Sequence, residues 1–176
     1  MMTCQLDDGG RWRWNAAACE TPLVLAFDDA PIVFTKAPIS TSFAPTEWVS
    51  ARTPWLALDD DGSGCVESAD ELFGPTADGP NGFAKLARLD ENGDGRVDAR
   101  DPAWARLLLW SDANQDRVCT VSEIRTLADA GVVSLATAYT APKTIPFGSY
   151  EGERGTFSFG ADRRGRIVDV YLAPLD

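Results

Sequence analysis

Residues 90–123 read DENGDGRVDARDPAWARLLLWSDANQDRVCTVSE, and two copies of one oxygen pattern lie within them. Counting from Asp90, oxygen-bearing side chains fall at loop positions 1, 3, 5, 9 and 12 (Asp90, Asn92, Asp94, Asp98, Asp101). Gly95 takes the sharp turn at position 6, and Arg96 offers its carbonyl at position 7. Asp112, Asn114, Asp116, Thr120 and Glu123 repeat the pattern, with Val118 supplying the position-7 carbonyl. Arg117 stands where the turn glycine belongs, and a residue with a Cβ takes positive φ less readily, so this loop is the poorer site. Between the two loops, DPAWARLLLW predicts a short helix that leaves one loop and leads into the next, with Pro102 early in it and Trp104, Leu107 and Leu108 turned to the core.

A third copy lies upstream in DDDGSGCVESADE. Asp59, Asp61 and Ser63 fill positions 1, 3 and 5, Gly64 makes the turn, Cys65 offers its carbonyl and Glu67 sits at position 9. Either Asp70 or the adjacent Glu71 closes the cage. In chain order these are loops one (from Asp59), two (from Asp90) and three (from Asp112). A hard divalent cation needs six to eight oxygens at a fixed radius, and alternate residues of a tight loop point them at one centre. Acidic Gly-rich turns also serve simply to join elements, but three spaced copies, with Val66 and Val97 both at position 8, favour two to three bound Ca²⁺.

The charge balance agrees with that reading. The chain has 27 acidic residues and a net charge of −11, which argues against nucleic acid or an anionic membrane as partner. Loops one, two and three hold six, five and three acidic residues, so fourteen of the 27 lie at the candidate sites. The absence of histidine excludes Ser–His and Cys–His nucleophiles and imidazole metal ligands. The obvious carboxylates serve as ligands and no Ser, Cys or Lys has a companion base, so no enzymatic activity is expected; Asp169 and Glu153 are acids without an assigned role.

The four cysteines form no CxxC, which points to disulfides rather than zinc. Of the three connectivities, Cys4 with Cys19 and Cys65 with Cys119 is preferred, with two buried free thiols as the alternative for the second pair. Disulfides and weak calcium loops both suit an extracellular, cell-surface or periplasmic location. No apolar run approaches a membrane span, and no basic-then-apolar leader opens the chain, so a signal sequence is expected to have been removed. Cys4 as a lipid-modified residue is the alternative to its disulfide role.

Along the chain, residues 1–20 predict a disulfide-closed hairpin turning at DDGG, with Trp12 and Trp14 on one strand face. Residues 21–135 form the calcium core. In it TPLVLAFDDAPIVFT predicts two β segments, SADELFG a short helix, FAKLARL a helix entering loop two, and VSEIRTLADAG an amphipathic helix ended by Gly131. Residues 136–176 predict a C-terminal β-hairpin packed on the core, GTFSFG and RIVDVYL being joined by ADRRG. The expected class is α+β: a helix-loop calcium core of EF-hand type flanked by β-hairpins at both termini.

The segments WLALDDDGSG, DELFG, NGFAKLARLDENGDGRVDARDPAWARLLLWSDANQD and SEIRTLADAGVVSL, together with PLVLAFDD and TEWV, resemble the EF-hand-like calcium-binding domain of bacterial secreted and surface proteins of the RTX or hemolysin-associated type. The resemblance spans about Thr21 to Leu135. Relatives carry a DxDGDG run where this chain has AFDDAP, so Asp28 and Asp29 depart from that pattern. The resemblance implies an exported protein in which calcium stabilises the fold and presents a binding surface. The alternative is a module that binds a polysaccharide or cell-surface protein through Trp12 and Trp14 on a calcium scaffold. A calcium sensor is disfavoured because Met1 and Met2 are the only methionines.

Overall fold

The computed structural model describes residues 5–6, 12–13, 22–37, 43, 45–75, 79, 81–144 and 146–175. Strands β1 (Gln5–Leu6) and β2 (Trp12–Arg13) form a short antiparallel ladder in which Gln5 faces Arg13. The expected Cys4–Cys19 bridge, the Trp12 side chain and Trp14 lie outside the described residues.

The chain then runs through β3 (Leu23–Ala26), β4 (Phe34–Thr35), β5 (Trp48–Val49) and β6 (Trp55–Leu58) into loop one, which ends in a 3-10 turn at Ala69–Glu71. Helix α1 (Gly82–Ala87) leads into loop two, which contains β7 (Arg96–Asp98) and ends in a 3-10 turn at Pro102–Arg106. Strand β8 (Leu107–Trp110) leads into loop three, which ends in the 3-10 turn Val121–Glu123 and β9 (Ile124–Thr126). Strands β10 (Val132–Ala136), β11 (Tyr150–Phe159) and β12 (Arg163–Tyr171) complete the chain.

Eight of these strands make one curled antiparallel sheet in the order β7-β10-β11-β12-β3-β6-β8-β9. The C-terminal hairpin is part of its centre: β12 lies between β11 and β3, with Ile167 opposite Leu25 and Val168 opposite Val24. The central strands LVLA, WLAL and LLLW are apolar on both faces, as strands covered on both sides must be. One face packs Leu23, Leu25, Leu56, Leu107 and Leu109 against Phe83, Leu86 and Phe157. The other packs Val24, Trp55, Trp110 and Val168 against Trp48, Phe43, Val66 and Leu172.

The expected helix-loop core of EF-hand type is not what the chain builds. Loops one and three are approached by strands and left by three-residue 3-10 turns, and loop two alone has a helix before it. LLLW is a four-residue apolar run, too short to show a helical period, and its neighbours β6 and β9 give it ladder partners on both sides: Leu109 faces Leu56 and Arg125. Only the first five residues after Asp101 turn helically, as a 3-10 segment. The predicted helix from Val121 breaks for the same reason, since Ile124, Arg125 and Thr126 pair with Trp110, Leu109 and Leu108. Tertiary pairing overrides the weak local helical preference of both segments. The β elements around β3, β11 and β12 and the FAKLA helix lie where the sequence places them.

Candidate metal centre

The three loops share one hydrogen-bond scheme. In each, the position-1 carboxylate accepts from the position-6 amide: Asp59 from Gly64 (3.0 Å), Asp90 from Gly95 (2.8 Å) and Asp112 from Arg117 (3.0 Å). The position-3 side chain accepts from the position-5 amide, as Asp61 does from Ser63 (2.9 Å), Asn92 from Asp94 (2.9 Å) and Asn114 from Asp116 (3.1 Å). The closing carboxylate accepts from the position-9 amide, as Asp101 does from Asp98 (3.0 Å) and Glu123 from Thr120 (3.1 Å). In loop one that part is taken by Glu71, which accepts from Glu67 (2.7 Å) and Ser68 (3.3 Å). Asp70 is exposed, and its backbone carbonyl accepts from the Lys85 ammonium (2.6 Å). In this hydrogen-bond scheme Glu71, not Asp70, takes the closing place of loop one.

One carboxylate oxygen from each of Asp59, Asp61 and Glu71 lies within 4.8 Å of the others, a grouping found only in loop one among the described residues. Glu71 is 7% exposed, and its Oε1 has no hydrogen-bond partner. Burial pushes its carboxyl above the usual range despite the two backbone donors. Asp61, in contrast, is held low by its bonds from Ser63. Ser63 Oγ donates to Glu67 Oε2 (2.9 Å), so positions 5 and 9 of this loop also meet.

Loop two holds its own counter-charge. The Arg100 guanidinium pairs with Asp94 and with Asp98 (2.7 Å), the side chains of positions 5 and 9, and it lowers the Asp98 carboxyl. Beneath the loop, β7 pairs with β10 (Val97 opposite Leu135), and Thr137 donates to the Gly95 carbonyl through its amide and its hydroxyl, both at 3.1 Å.

Loop three is anchored to the interior. Asp112 is 1% exposed, and its Oδ2 also accepts from Trp48 Nε1 (2.8 Å), while Oδ1 has no partner; burial raises this carboxyl. Arg117 takes φ 59° at the turn position and carries its side chain inward, where the guanidinium lies 4.7 Å from the Trp48 ring and donates to the Thr46 carbonyl. Gln115, at φ 59°, is bonded to Thr35 Oγ1 (3.1 Å). The hold of Trp48 on Asp112 is not legible in the sequence, since the two are 64 residues apart and no local pattern connects them.

The Cys65–Cys119 disulfide forms as preferred, joining loop one to loop three with a Cα–Cα distance of 5.7 Å. The two remaining acids have structural partners: buried Asp169 accepts from the Gly82 amide at the start of α1 (2.6 Å), and Glu153 accepts from the Tyr171 hydroxyl (2.9 Å). Among the described residues no helix is long and apolar enough to cross a membrane.

The chain is similar to the iron-regulated protein FrpA of Neisseria meningitidis serogroup C, with 36% identity over 133 residues. The matched region is 68% of this chain and only 12% of that relative, so the chain spans about an eighth of the relative's length. The EF-hand-like, RTX-associated family suggested by the sequence is corrected both by the β-rich fold and by the family that matches, and calcium binding no longer follows from family membership. The SPM domain family model covers residues 29–173, nearly the whole of the described chain, and this protein belongs to the SPM domain family.

Proposed function

We propose that this domain is a divalent-cation-stabilised module of an exported protein, in which Ca²⁺ held by the acidic loops ties together the edges and faces of a β-sheet. The observation that carries the reading is loop one: three carboxylates converge within 4.8 Å, and one of them, Glu71, is buried with an oxygen lacking any donor. A buried, unpaired carboxylate oxygen is costly, and a cation at the centre of Asp59, Asp61 and Glu71 removes that cost. Ser63, Glu67 and the Cys65 carbonyl complete an all-oxygen set suited to a hard ion. Loop two offers Asp90, Asn92, Asp94, Asp98, Asp101 and the Arg96 carbonyl, once Arg100 has left. Loop three offers Asp112, Asn114, Asp116, Thr120, Glu123 and the Val118 carbonyl.

An occupied loop adds to folding free energy by mass action. At millimolar calcium, a site with Kd of ~10⁻⁴ M contributes about 1 to 2 kcal/mol. The test is thermal unfolding in chelator and across a calcium titration, with magnesium as control. The expected outcome is a melting temperature that climbs with calcium and responds little to magnesium, and a Glu71→Gln variant in which loop one's share of that climb is lost. A melting temperature indifferent to calcium would leave the loops as connectors and sink the proposal. The exported location rests on the disulfide and on these weak sites; a surface partner, protein or polysaccharide, is the companion proposal.

A further inference from the structure

We propose that the Cys65–Cys119 disulfide is a redox control on cation affinity, coupling loops one and three so that its reduction weakens both. This inference rests on the proposed cation function. Loop one leaves the Leu58 end of β6, and loop three leaves the Trp110 end of β8. In the antiparallel β6/β8 ladder those ends are opposite, since Leu58 faces Leu107 and Trp55 faces Trp110. The loops nevertheless meet, because each turns back over the same face of the sheet, where Val66, Leu72, Cys119 and Ile124 join one apolar cluster. The disulfide is the covalent link at that meeting point, closing a sequence separation of 54 residues.

Its position bears directly on the ligands. Cys65 is the position-7 residue of loop one, whose carbonyl belongs to the oxygen set, and Cys119 follows Val118, which has that part in loop three. One covalent bond therefore restrains both position-7 carbonyls. Each loop also holds a buried carboxylate with an oxygen lacking a donor, Glu71 Oε1 and Asp112 Oδ1. Both cysteines are half-buried, within reach of a small thiol. A dithiol reductant delivers two electrons and two protons to the sulfur–sulfur bond, giving two protein thiols and its own cyclic disulfide. Freed from each other, the loops must be ordered separately, and part of the cation's binding energy goes to that ordering. Loop two stands on β7 and β10 at the far edge of the sheet and serves as an internal control.

The experiment is a calorimetric calcium titration of the oxidised chain and of a Cys65→Ser/Cys119→Ser variant, with Cys4→Ser/Cys19→Ser as control. Near-ultraviolet circular dichroism checks the fold. Should the first variant unfold, wild-type protein treated with a dithiol while folded replaces it. The expected result is a rise in Kd of about 5-fold or more at two sites, with the third moving less than about twofold and the Cys4/Cys19 control resembling wild type. Superimposable isotherms for oxidised and bond-free protein overturn the coupling while leaving the cation function standing. No calcium binding by the oxidised chain overturns both.

Discussion

Loops two and three trace the same backbone on different support. Positive φ falls at positions 4 and 6 of each: Gly93 (71°) and Gly95 (84°) in loop two, Gln115 and Arg117 (both 59°) in loop three. Loop two uses residues without a Cβ and keeps its turn at the surface, with two of its carboxylates, Asp94 and Asp98, paired to an exposed arginine. Loop three places two side chains in the unfavourable region and holds them there by distant contacts, Arg117 buried against Trp48 and Gln115 bonded to half-buried Thr35. A turn can thus be specified locally by glycine or imposed from a distance by buried contacts. The second route leaves little trace in a motif.

The largest expected effect separates the two supports. Trp48→Ala removes a fully buried ring together with the donor to Asp112 and the face under Arg117, and should cost about 3 to 5 kcal/mol in urea unfolding. Thr137→Ala, which removes the exposed hydroxyl bond to Gly95 beneath loop two, should cost under about 1 kcal/mol. Comparable losses would erase the distinction between a loop anchored in the core and one held at the sheet edge.

A middle-sized effect tests the turn position itself. Gly95→Ala has open space for its Cβ but an unfavourable φ, so the expected loss is about 1 to 2 kcal/mol. Arg117→Gly relieves a similar strain but gives up a buried charged hydrogen bond, about 1.5 to 3 kcal/mol, and the ring contact. A net loss is therefore expected where the motif alone would forecast a gain. A higher urea midpoint for Arg117→Gly would show that its anchor is worth less than the backbone strain.

The smallest effect is one of sign, read from urea midpoints in chelator between about pH 3 and 7. Asp112 is raised by burial, so its stabilising contribution is present below its unfolded pKa and is lost as pH rises through the higher folded value. Asp98 is lowered by Arg100, so its contribution is present above the unfolded pKa and is lost as pH falls through the lower folded value. Asp112→Asn should therefore flatten a decline toward neutral pH, and Asp98→Asn a decline toward acid. Identical pH profiles for the two variants would contradict the assignment of opposite environments.

What could be read from the chain follows from the range of each interaction. The oxygen spacing of the loops is local, and so is the Phe83–Leu86 helix; β11 and β12 announce themselves by alternation around a turn. The Cys65–Cys119 pair was legible because the loops give the two cysteines neighbouring places, position 7 of loop one and position 8 of loop three. LLLW and IRT were misread as helical because a three- or four-residue run has no period, and because a loop pattern associated with flanking helices lent them a structure that β6 and β9 withhold. The Trp48–Asp112 bond and the inward turn of Arg117 depend on which strands become neighbours, and sheet order is not written in any window of sequence.

That order also dictates when the domain can fold. Strand β12 is the seam between β7-β10-β11 on one side and β3-β6-β8-β9 on the other, and it pairs residues 166–169 with residues 23–26. Until it leaves the ribosome, β3 and β11 each present an open edge, the kind of surface on which chains aggregate. Closure of the sheet is therefore a late event for a growing chain, with the long-range pairing that makes folding slow. A truncation before Arg163 would leave two half-sheets without the strand that hydrogen-bonds to both.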